Sequence, residues 1–473
     1  MRSGDFWGSP KVWNSTHPTC LDYFPWRTYS ASVEASYPLL RVAFAEQQIA
    51  AGKEVSAWGE FDLTAKAYSI AAPLGFYKTY RSLVELNQPM YGGGYVYSGY
   101  KIGDGKFQPW FKERETNEGG EFSAGVGVPL LKNRAIDNRR SEVMQAALAR
   151  QATQPFTQAQ LLLFNQEAAY SYWSWVAAGR STRAAEALVD LGLQRVGQVK
   201  ERVAAGDLAP IADIDNQRLI ADRETKLIET ARKFQASAIK LSLFLRDAAG
   251  QPMIAELAQV PDEVPPLTEI DADQLESDIA SAIAARPEIA EIDFEIRRVR
   301  VQIAEANNSM LPKLDAAVGA AQDVGNSTNS IGDKTPFELE AGLYGEVPLQ
   351  RREARGKRMA ANAKLRQLCA KREFIVNKVT VAVQDAHSAL QAAEMRIERA
   401  ELNANLAEQS LQLARDRFNA GDIDLIVLNI YEKAVTDAQL VLIEAESDYF
   451  KAVADYRAAL AQPAGSETSS ETN

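Results

Sequence analysis

The chain has 473 residues, a mass of 52.0 kDa and a formal net charge of −11, which comes from 63 acidic and 52 basic residues. Hydrophobic residues make up 46% and charged residues 24%, a balance typical of folded proteins and not of disordered ones. The acidic balance argues against a general nucleic-acid binder, because such a protein needs a basic face to replace the counterions of phosphate.

The residues that build metal and catalytic centres are scarce. The sequence has only two histidines, His17 and His387, and two cysteines, Cys20 and Cys369. A structural zinc site or a disulfide framework needs more such residues, so both are excluded, and no metal or other cofactor is expected. No nucleophile motif is present either, so we expect no enzyme.

Targeting signals are not evident in the sequence. No apolar run approaches the roughly 18 residues of a membrane-spanning helix. The first residues, Met1 to Phe6, lack the apolar core of a signal peptide. We therefore expect a soluble protein, a true start further upstream, or export information that this sequence does not carry. Segment 1–32 is unassigned, and the tail 463–473, rich in Ser, Thr and Glu, is expected to be disordered.

A duplicated unit organises the remaining residues. The segment Arg-Val-Ala-Ala-Gly-Asp at 202–207 returns as Arg-Phe-Asn-Ala-Gly-Asp at 417–422, and the two glycines are 215 positions apart. Such self-similarity indicates two copies of one structural unit. A proline-rich stretch between them interrupts both helix and strand. The predicted organisation is a first repeat, a linker and a second repeat, at 33–250, 251–275 and 276–462.

Each repeat is predicted to end in a long helical hairpin with a glycine at its turn. In the second repeat, apolar residues from Val379 to Phe418 are spaced alternately by four and three, which is a heptad seam. A helix beginning near Arg351 would be about 100 Å long at ~1.5 Å per residue. A second apolar set beside the seam predicts that this helix packs on two sides: Val376, Leu402, Leu406 and Leu413.

Four segments alternate between apolar and polar residues and predict strands: 61–67, 122–128, 314–320 and 337–347. The glycine-rich and aromatic segment Pro73–Gly120 is predicted to be an extracellular loop between the first two. From alternation alone, a small water-soluble sheet is at least as good an interpretation as a membrane β-barrel. Four strands cannot close a barrel, so a barrel requires several chains.

These features resemble the TolC-like outer membrane efflux proteins. The resemblance spans roughly 33–462 and lies in Arg417–Ile423, in Asp437-Ala438-Gln439, and in Arg286–Ile289 leading to Pro312. It implies a mainly α fold with membrane β-structure, in which the duplicated unit supplies long helical hairpins and four strands. It also implies a homotrimer, whose trimeric α-barrel would be continued by a 12-stranded β-barrel.

The resemblance further implies the function of an outer membrane channel. Such a duct would passively export substrates in a tripartite efflux or type I secretion system. Its partners would be a periplasmic adaptor protein, an inner-membrane transporter and outer membrane lipid, and it would lie in the cell outer membrane with a periplasmic extension. The helices alone leave an alternative open, a periplasmic helical scaffold or adaptor without a membrane barrel.

The two glycine turns would be the periplasmic tips of the channel. By position, the resemblance assigns adaptor contacts to Ala205, Gly206, Ala420 and Gly421. The tips are also rich in carboxylates: Asp207, Asp213, Asp215, Asp422 and Asp424. Rings of carboxylates select cations at a pore entrance, whereas single Asp residues are ordinary helix N-caps, and the sequence favours neither interpretation.

The gate of this chain departs from the family pattern. Many members have acidic residues six and nine positions after the second glycine, where this chain has Val427 and Ile430. A Tyr and an Arg that hold the closed tip in some members are replaced by Phe418 and Ile423. We therefore hypothesise an apolar constriction that involves Phe418, Ile423 or Val427, in which Ile423→Asp would raise basal leakage.

Overall fold

The structure is a computed structural model that describes residues 38–108, 114–206, 208–247, 250–267, 274–327 and 336–462. The unassigned segment 1–32, the predicted disordered tail 463–473 and the site residue Asp207 lie outside the described residues. Helices dominate the described ranges, and the strands form a single sheet.

The α-helices have the following bounds: α1 Pro38–Trp58, α2 Asn138–Ala204, α3 Ile211–Leu241, α4 Leu275–Ala285, α5 Pro287–Asn308, α6 Arg352–Asn419 and α7 Leu425–Ala459. The two longest, α2 and α6, have 67 and 68 residues. At ~1.5 Å per residue each is about 100 Å long, so the length predicted for the second-repeat helix is confirmed. Within the described ranges, no helix is both long and apolar enough to span a bilayer.

The predicted heptad seam of α6 is buried. Val379, Val383, Leu390 and Ile397 are each no more than 5% exposed. In the second apolar set on α6, by contrast, Leu402, Leu406 and Leu413 are 48–66% exposed. The seam prediction is thus confirmed, whereas these three leucines of the second set are not covered by the described part of the chain.

The sheet contains six antiparallel strands, which pair in sequence order. Their bounds are β1 Thr64–Ala72, β2 Thr79–Pro89, β3 Tyr95–Gly105, β4 Glu121–Pro129, β5 Lys313–Asp323 and β6 Phe337–Glu346. The four predicted strands correspond to β1, β4, β5 and β6. The prediction of only four strands is wrong, and so is the assignment of Pro73–Gly120 to a loop, because this segment also forms β2 and β3. The twelve-stranded barrel of a trimer assumed four strands per chain and is not confirmed.

The missed hairpin has weak sequence signals. Its turn contains Gly93 and Gly94, whose φ angles are +98° and +87°, in the left-handed region where glycine is favoured. A glycine run of this kind is also typical of a loop, which concealed the turn. In β2, Ser82 lies on the apolar face and Leu83 on the polar face, so the alternation is imperfect.

The register gives the sheet one apolar and one polar face. Ala124 of β4 lies opposite Ala320 of β5, which lies opposite Leu339 of β6, and directly opposed side chains share a face. All four predicted apolar rows therefore fall on one face. Its large side chains are exposed and include Val84, Phe122, Val318, Leu339 and Leu343. The opposite face carries charged residues, among them Lys66, Arg81, Glu85, Lys101, Glu338 and Glu340.

The chain divides into two compact units, each built from both predicted repeats. The first combines described residues of Leu161–Ile279 and Ala382–Asn473, and the second combines Leu39–Gln160 and Ala280–Val381. The core of the first unit contains the fully buried Trp175, and Trp173 stacks on Phe450 with ring centroids 4.0 Å apart. The repeat bounds given above remain a prediction.

The second unit contains the sheet and a helical core. In that core, Ile292, Ile296 and Val299 of α5 pack against Leu368 of α6. The turn between β2 and β3 is attached to the end of α1, because Tyr91 stacks on Trp58 with ring centroids 5.4 Å apart. The missed hairpin is therefore anchored to the rest of its unit.

Candidate functional site

The turns of the two helical hairpins both contain a glycine of positive φ. Gly206 and Gly421 have φ angles of +83° and +82°, so each occupies the left-handed region as predicted. In the second turn, the amide of Gly421 donates to the Phe418 carbonyl over 3.1 Å, and the Asp422 amide donates to the Arg417 carbonyl over 2.9 Å. This pattern is a Schellman-type helix end, which satisfies carbonyls that the helix leaves free.

The space beside both glycines is open. A Cβ atom added to either glycine would meet no neighbouring atom within 4 Å. Ala205 and Ala420 next to them are exposed as well. The four residues assigned to adaptor contact thus form two small, uncovered surfaces, and another backbone could approach them closely.

The carboxylates near the turns have different local roles. Asp424 is the N-cap of α7, since its Oδ1 accepts the amide of Val427 over 2.9 Å. Asp213 lies in the first turn of α3 and accepts from Gln217 over 3.0 Å. Asp422 is exposed and Asp215 is half-buried. Asp424 therefore has a structural role as a helix N-cap. This is one of the two interpretations that the sequence left open, the other being a role at a pore entrance.

The residues proposed for the apolar constriction lie partly inside the second hairpin. Phe418 and Ile423 pack against a core cluster formed by Leu411, Ala414, Leu428 and Val435. The guanidinium of Arg202 lies 5.5 Å from the centroid of the Phe418 ring. Val427 is half-buried. Other apolar side chains at these helix starts, which were not predicted to form the constriction, are 56–62% exposed: Ile211, Ile214, Ile426 and Ile430.

The placement of Ile423 changes the reason for its predicted effect. Ile423→Asp is expected to raise basal leakage because a charge inside the hairpin core loosens the turn. Ile426→Asp, at a position that is 56% exposed, serves as a control that leaves the core intact. Single-channel conductance with thermal unfolding of each variant checks this prediction. Leakage from Ile426→Asp alone would show that the exposed isoleucines form the constriction.

A buried charge network links the hairpins behind these turns. Glu432 of α7 is 1% exposed and binds both Arg195 of α2 and Arg223 of α3. Arg223 donates to the Glu432 carboxylate over 2.9 Å and to the Leu188 carbonyl over 2.8 Å. Arg195 also donates to Asn429 over 3.1 Å. Three helices are thereby held by one carboxylate.

The arginines determine the protonation of Glu432. Burial alone would raise the pKa of this carboxyl, but the hydrogen bonds and positive charges of Arg195 and Arg223 outweigh it and hold the pKa below its ordinary value. Glu432 is therefore ionised at neutral pH. A buried carboxylate is stabilised by two charged donors. A buried carboxylate without the arginines, or buried arginines without the carboxylate, would destabilise the fold.

A second buried carboxylate on α7 provides a contrast. Among the described residues, Glu446 pairs with one arginine, Arg180 of α2. Burial raises the pKa of Glu446, Arg180 lowers it, Glu401 raises it again, and the net pKa lies above its ordinary value. The environment of Glu446 thus disfavours its charged form, unlike that of Glu432.

Clusters that could hold a metal are absent from the part of the chain that the structure describes. No group of three or more His, Cys, Asp or Glu side chains there has a suitable arrangement. The structure therefore offers a candidate interaction site at the turns and a charge network behind them.

The sequence matches no protein-family model and no curated protein. Solved structures do match. The CmeC outer membrane channel of Campylobacter jejuni aligns over 94% of this chain and 87% of its own, with a TM-score of 0.64 and 10% identity. The outer membrane protein VceC of Vibrio cholerae aligns over 92% and 96%, with a TM-score of 0.63 and 16% identity.

The open state of the MtrE outer membrane channel of Neisseria gonorrhoeae aligns over 92% of this chain and 89% of its own, with a TM-score of 0.62 and 14% identity. Together these similarities show that the chain has the fold of TolC-like outer membrane channels. The resemblance predicted from the sequence is confirmed at the level of the fold.

Proposed function

We propose that the protein is an outer membrane channel that exports substrates passively. In this proposal it assembles as a homotrimer built from two repeats per chain, lies in the cell outer membrane and extends into the periplasm. An inner-membrane transporter delivers the substrate and supplies the energy, and a periplasmic adaptor connects the two. The chain itself has no catalytic role.

The sheet carries this proposal. One of its faces is mainly apolar and has exposed side chains on every strand, and the other is mainly polar. An exposed apolar patch of this kind is unfavourable in water but suits the hydrocarbon of a bilayer. The polar face then suits a water-filled lumen. The two edge strands, β1 and β6, have unpaired backbone groups, which lipid cannot satisfy, so neighbouring copies must pair with them.

The long helix α6 supports the same assembly. Phe374, Val381, Met395 and Leu402 are exposed and recur at intervals of seven or fourteen residues along one stripe. A heptad stripe is a packing surface for another helix. Because the buried seam of α6 is already occupied within the chain, a second copy is the partner that this additional stripe would accept.

The hairpin turns support the adaptor as a partner. Both turns present exposed small residues with free space beside the glycine. Carboxylates near them add negative charge at the proposed entrance, which would favour cations. The periplasmic adaptor is therefore proposed to contact Ala205, Gly206, Ala420 and Gly421.

Flotation with lipid vesicles tests the proposed location. The full chain, refolded with outer membrane lipids, is expected to float with the vesicles and to remain there after an alkaline wash. Protein that stays in the aqueous fraction without detergent would instead support a helical scaffold that has no membrane barrel.

A methyl group at the second turn tests the adaptor contact. Gly421→Ala is expected to weaken adaptor binding several-fold, because the methyl group occupies the approach path and the φ of +82° is strained by about 1 kcal/mol for alanine. Binding is measured with the purified channel and adaptor. The control is Gly197→Ala, a helical position where a Cβ meets nothing within 4 Å. Equal binding by both variants would contradict the assignment.

A further inference from the structure

The hairpin of β2 and β3 is an addition to the sheet, inserted between the first and second predicted strands. We infer that it forms part of the transmembrane wall, so that three chains close a barrel of eighteen strands whose bore admits bulkier solutes than a wall without the hairpin. This inference rests on the proposed function. Four observations carry it.

First, the hairpin is fully integrated into the sheet. All eleven residues of β2 pair with β3, from Thr79 opposite Gly105 to Pro89 opposite Tyr95. β2 also pairs with β1 from Thr79 to Asn87, and β3 pairs with β4 from Tyr95 opposite Gly127 to Lys101 opposite Glu121. The strands β1 and β4 therefore do not touch each other, and the hairpin fills the whole width between them.

Second, the hairpin continues both faces of the sheet except at Ser82 and Leu83, where the alternation is reversed, and at Asp104, which lies on the apolar face. Val84 of β2 lies opposite Ala67 of β1, on the apolar face, and is 51% exposed. Its neighbour Glu85 lies opposite Lys66, on the polar face. A loop folded over the mouth of a barrel would not need this alternation, whereas a wall strand between lipid and water does.

Third, β3 interlocks with the strands that follow it. The ring of Tyr97 lies over Gly125 of β4 and reaches Gly319 of β5, and the ring of Tyr95 lies over Gly127. A side chain at any of these glycines would collide with the tyrosine ring above it. The glycines of β4 and β5 thus leave the space that the tyrosine rings of β3 occupy. The hairpin is therefore packed into the polar face of the sheet.

Fourth, an even number of strands permits closure by identical copies. With six antiparallel strands in sequence order, the edge strands β1 and β6 run in opposite directions. The β6 edge of one copy can therefore pair antiparallel with the β1 edge of the next. Three copies give eighteen strands, and because diameter grows roughly linearly with strand number, the barrel is about 1.5 times as wide as one of twelve.

The wider bore defines the class of solute. Barrels of about 16–18 strands leave an aqueous channel, whereas those of about eight are filled by side chains or hold one small ligand. The polar face of this sheet lines the bore with charged side chains, including Lys66, Glu85, Lys101 and Glu340. A bore of this width with a charged lining would leave room for bulkier hydrophilic solutes at this end of the duct.

Site-directed labelling tests the placement of the hairpin. In a Cys20→Ser, Cys369→Ser background, Val84→Cys and Glu85→Cys are labelled with an environment-sensitive fluorophore in vesicles that contain a lipid-borne quencher. Leu343→Cys and Glu340→Cys, on the two faces of β6, are the matched controls. We expect quenching at positions 84 and 343 and none at 85 and 340.

The controls separate two kinds of failure. Quenching at position 343 without quenching at 84 would overturn the inference, because the hairpin would then lie outside the wall while the sheet still spans the membrane. Absence of quenching at both 84 and 343 would overturn the proposed function itself, and the inference with it.

Removal of the β2–β3 hairpin tests the inferred width of the barrel. The Lys106 amide donates to the Lys78 carbonyl over 2.8 Å, so deletion of residues 79–105 joins chain ends that are already adjacent. β1 and β4 then become neighbours in an antiparallel orientation. By electron cryo-microscopy in nanodiscs, the barrel diameter is expected to fall to about two-thirds of that of the full chain. An unchanged diameter would overturn the inference. If the deletion variant does not fold, the labelling experiment still tests the inference in the full-length chain.

Discussion

Replacing Ala341 with arginine is expected to prevent stable assembly of the protein in a membrane. Ala341 lies near the middle of β6 on the apolar face, opposite Val318 of β5. An arginine on the lipid face at the bilayer midplane destabilises a β-barrel by about 2–4 kcal/mol. A trimer would carry this penalty three times. The fraction of protein that folds into lipid vesicles as a heat-stable oligomer measures the effect.

The adjacent residue provides a matched control for that prediction. Glu340→Arg places the same side chain on the polar face, opposite Gly319. Assembly is expected to match that of the unaltered chain, while the cation preference of the proposed channel decreases, because a carboxylate on the face proposed to line the lumen is replaced by a cation. Equal loss of assembly in both variants would contradict the assignment of the two faces.

Replacing Glu432 with glutamine is expected to destabilise the helical hairpins strongly. The variant leaves Arg195 and Arg223 partly buried without their counter-ion, and loss of one partner from a buried ion pair costs about 3–5 kcal/mol. The midpoint of denaturant unfolding, followed by circular dichroism of the helices, measures the change.

Glu446→Gln is the control on the same helix. Because Glu446 has one arginine partner and a raised pKa, its neutral replacement is expected to cost much less than Glu432→Gln at neutral pH. A larger effect at position 446 than at 432 would contradict the role assigned to the network.

The contributions of Glu432 and Glu446 to folding stability are expected to depend on pH in opposite directions. The folded-state pKa of Glu432 is lowered, so its contribution to stability is complete at neutral pH and is lost only as the pH falls through that lowered value. The folded-state pKa of Glu446 is raised, so its contribution is present at low pH and is lost as the pH rises through that value. Unfolding midpoints of each variant and the unaltered chain across pH separate these effects.

Much of the helical architecture could be predicted because its signals are local. The seam from Val379 to Phe418 repeats every seven residues, so the sequence itself shows which face of the helix is buried. The turns at Gly206 and Gly421 were equally predictable, since a duplicated glycine at the end of a seam indicates a left-handed helix end. Strands β5 and β6 alternate cleanly and were found within a few residues.

The remaining features depend on contacts between distant parts of the chain. Glu432 and Arg195 are separated by 237 positions, and nothing in the sequence pairs them. A signal was nevertheless present, because Glu432 lies between Leu428 and Val435 on the buried face of α7, where a charge needs a partner. The β2–β3 hairpin was missed because its glycine turn resembles a loop and because Ser82 and Leu83 break its alternation.

The number of chains in the lipid-embedded assembly tests the central claim most directly. Native mass spectrometry of the full chain in lipid nanodiscs is expected to release a species of three times the chain mass of 52.0 kDa. A species of single-chain mass would contradict the account, because one open six-stranded sheet cannot enclose a pore.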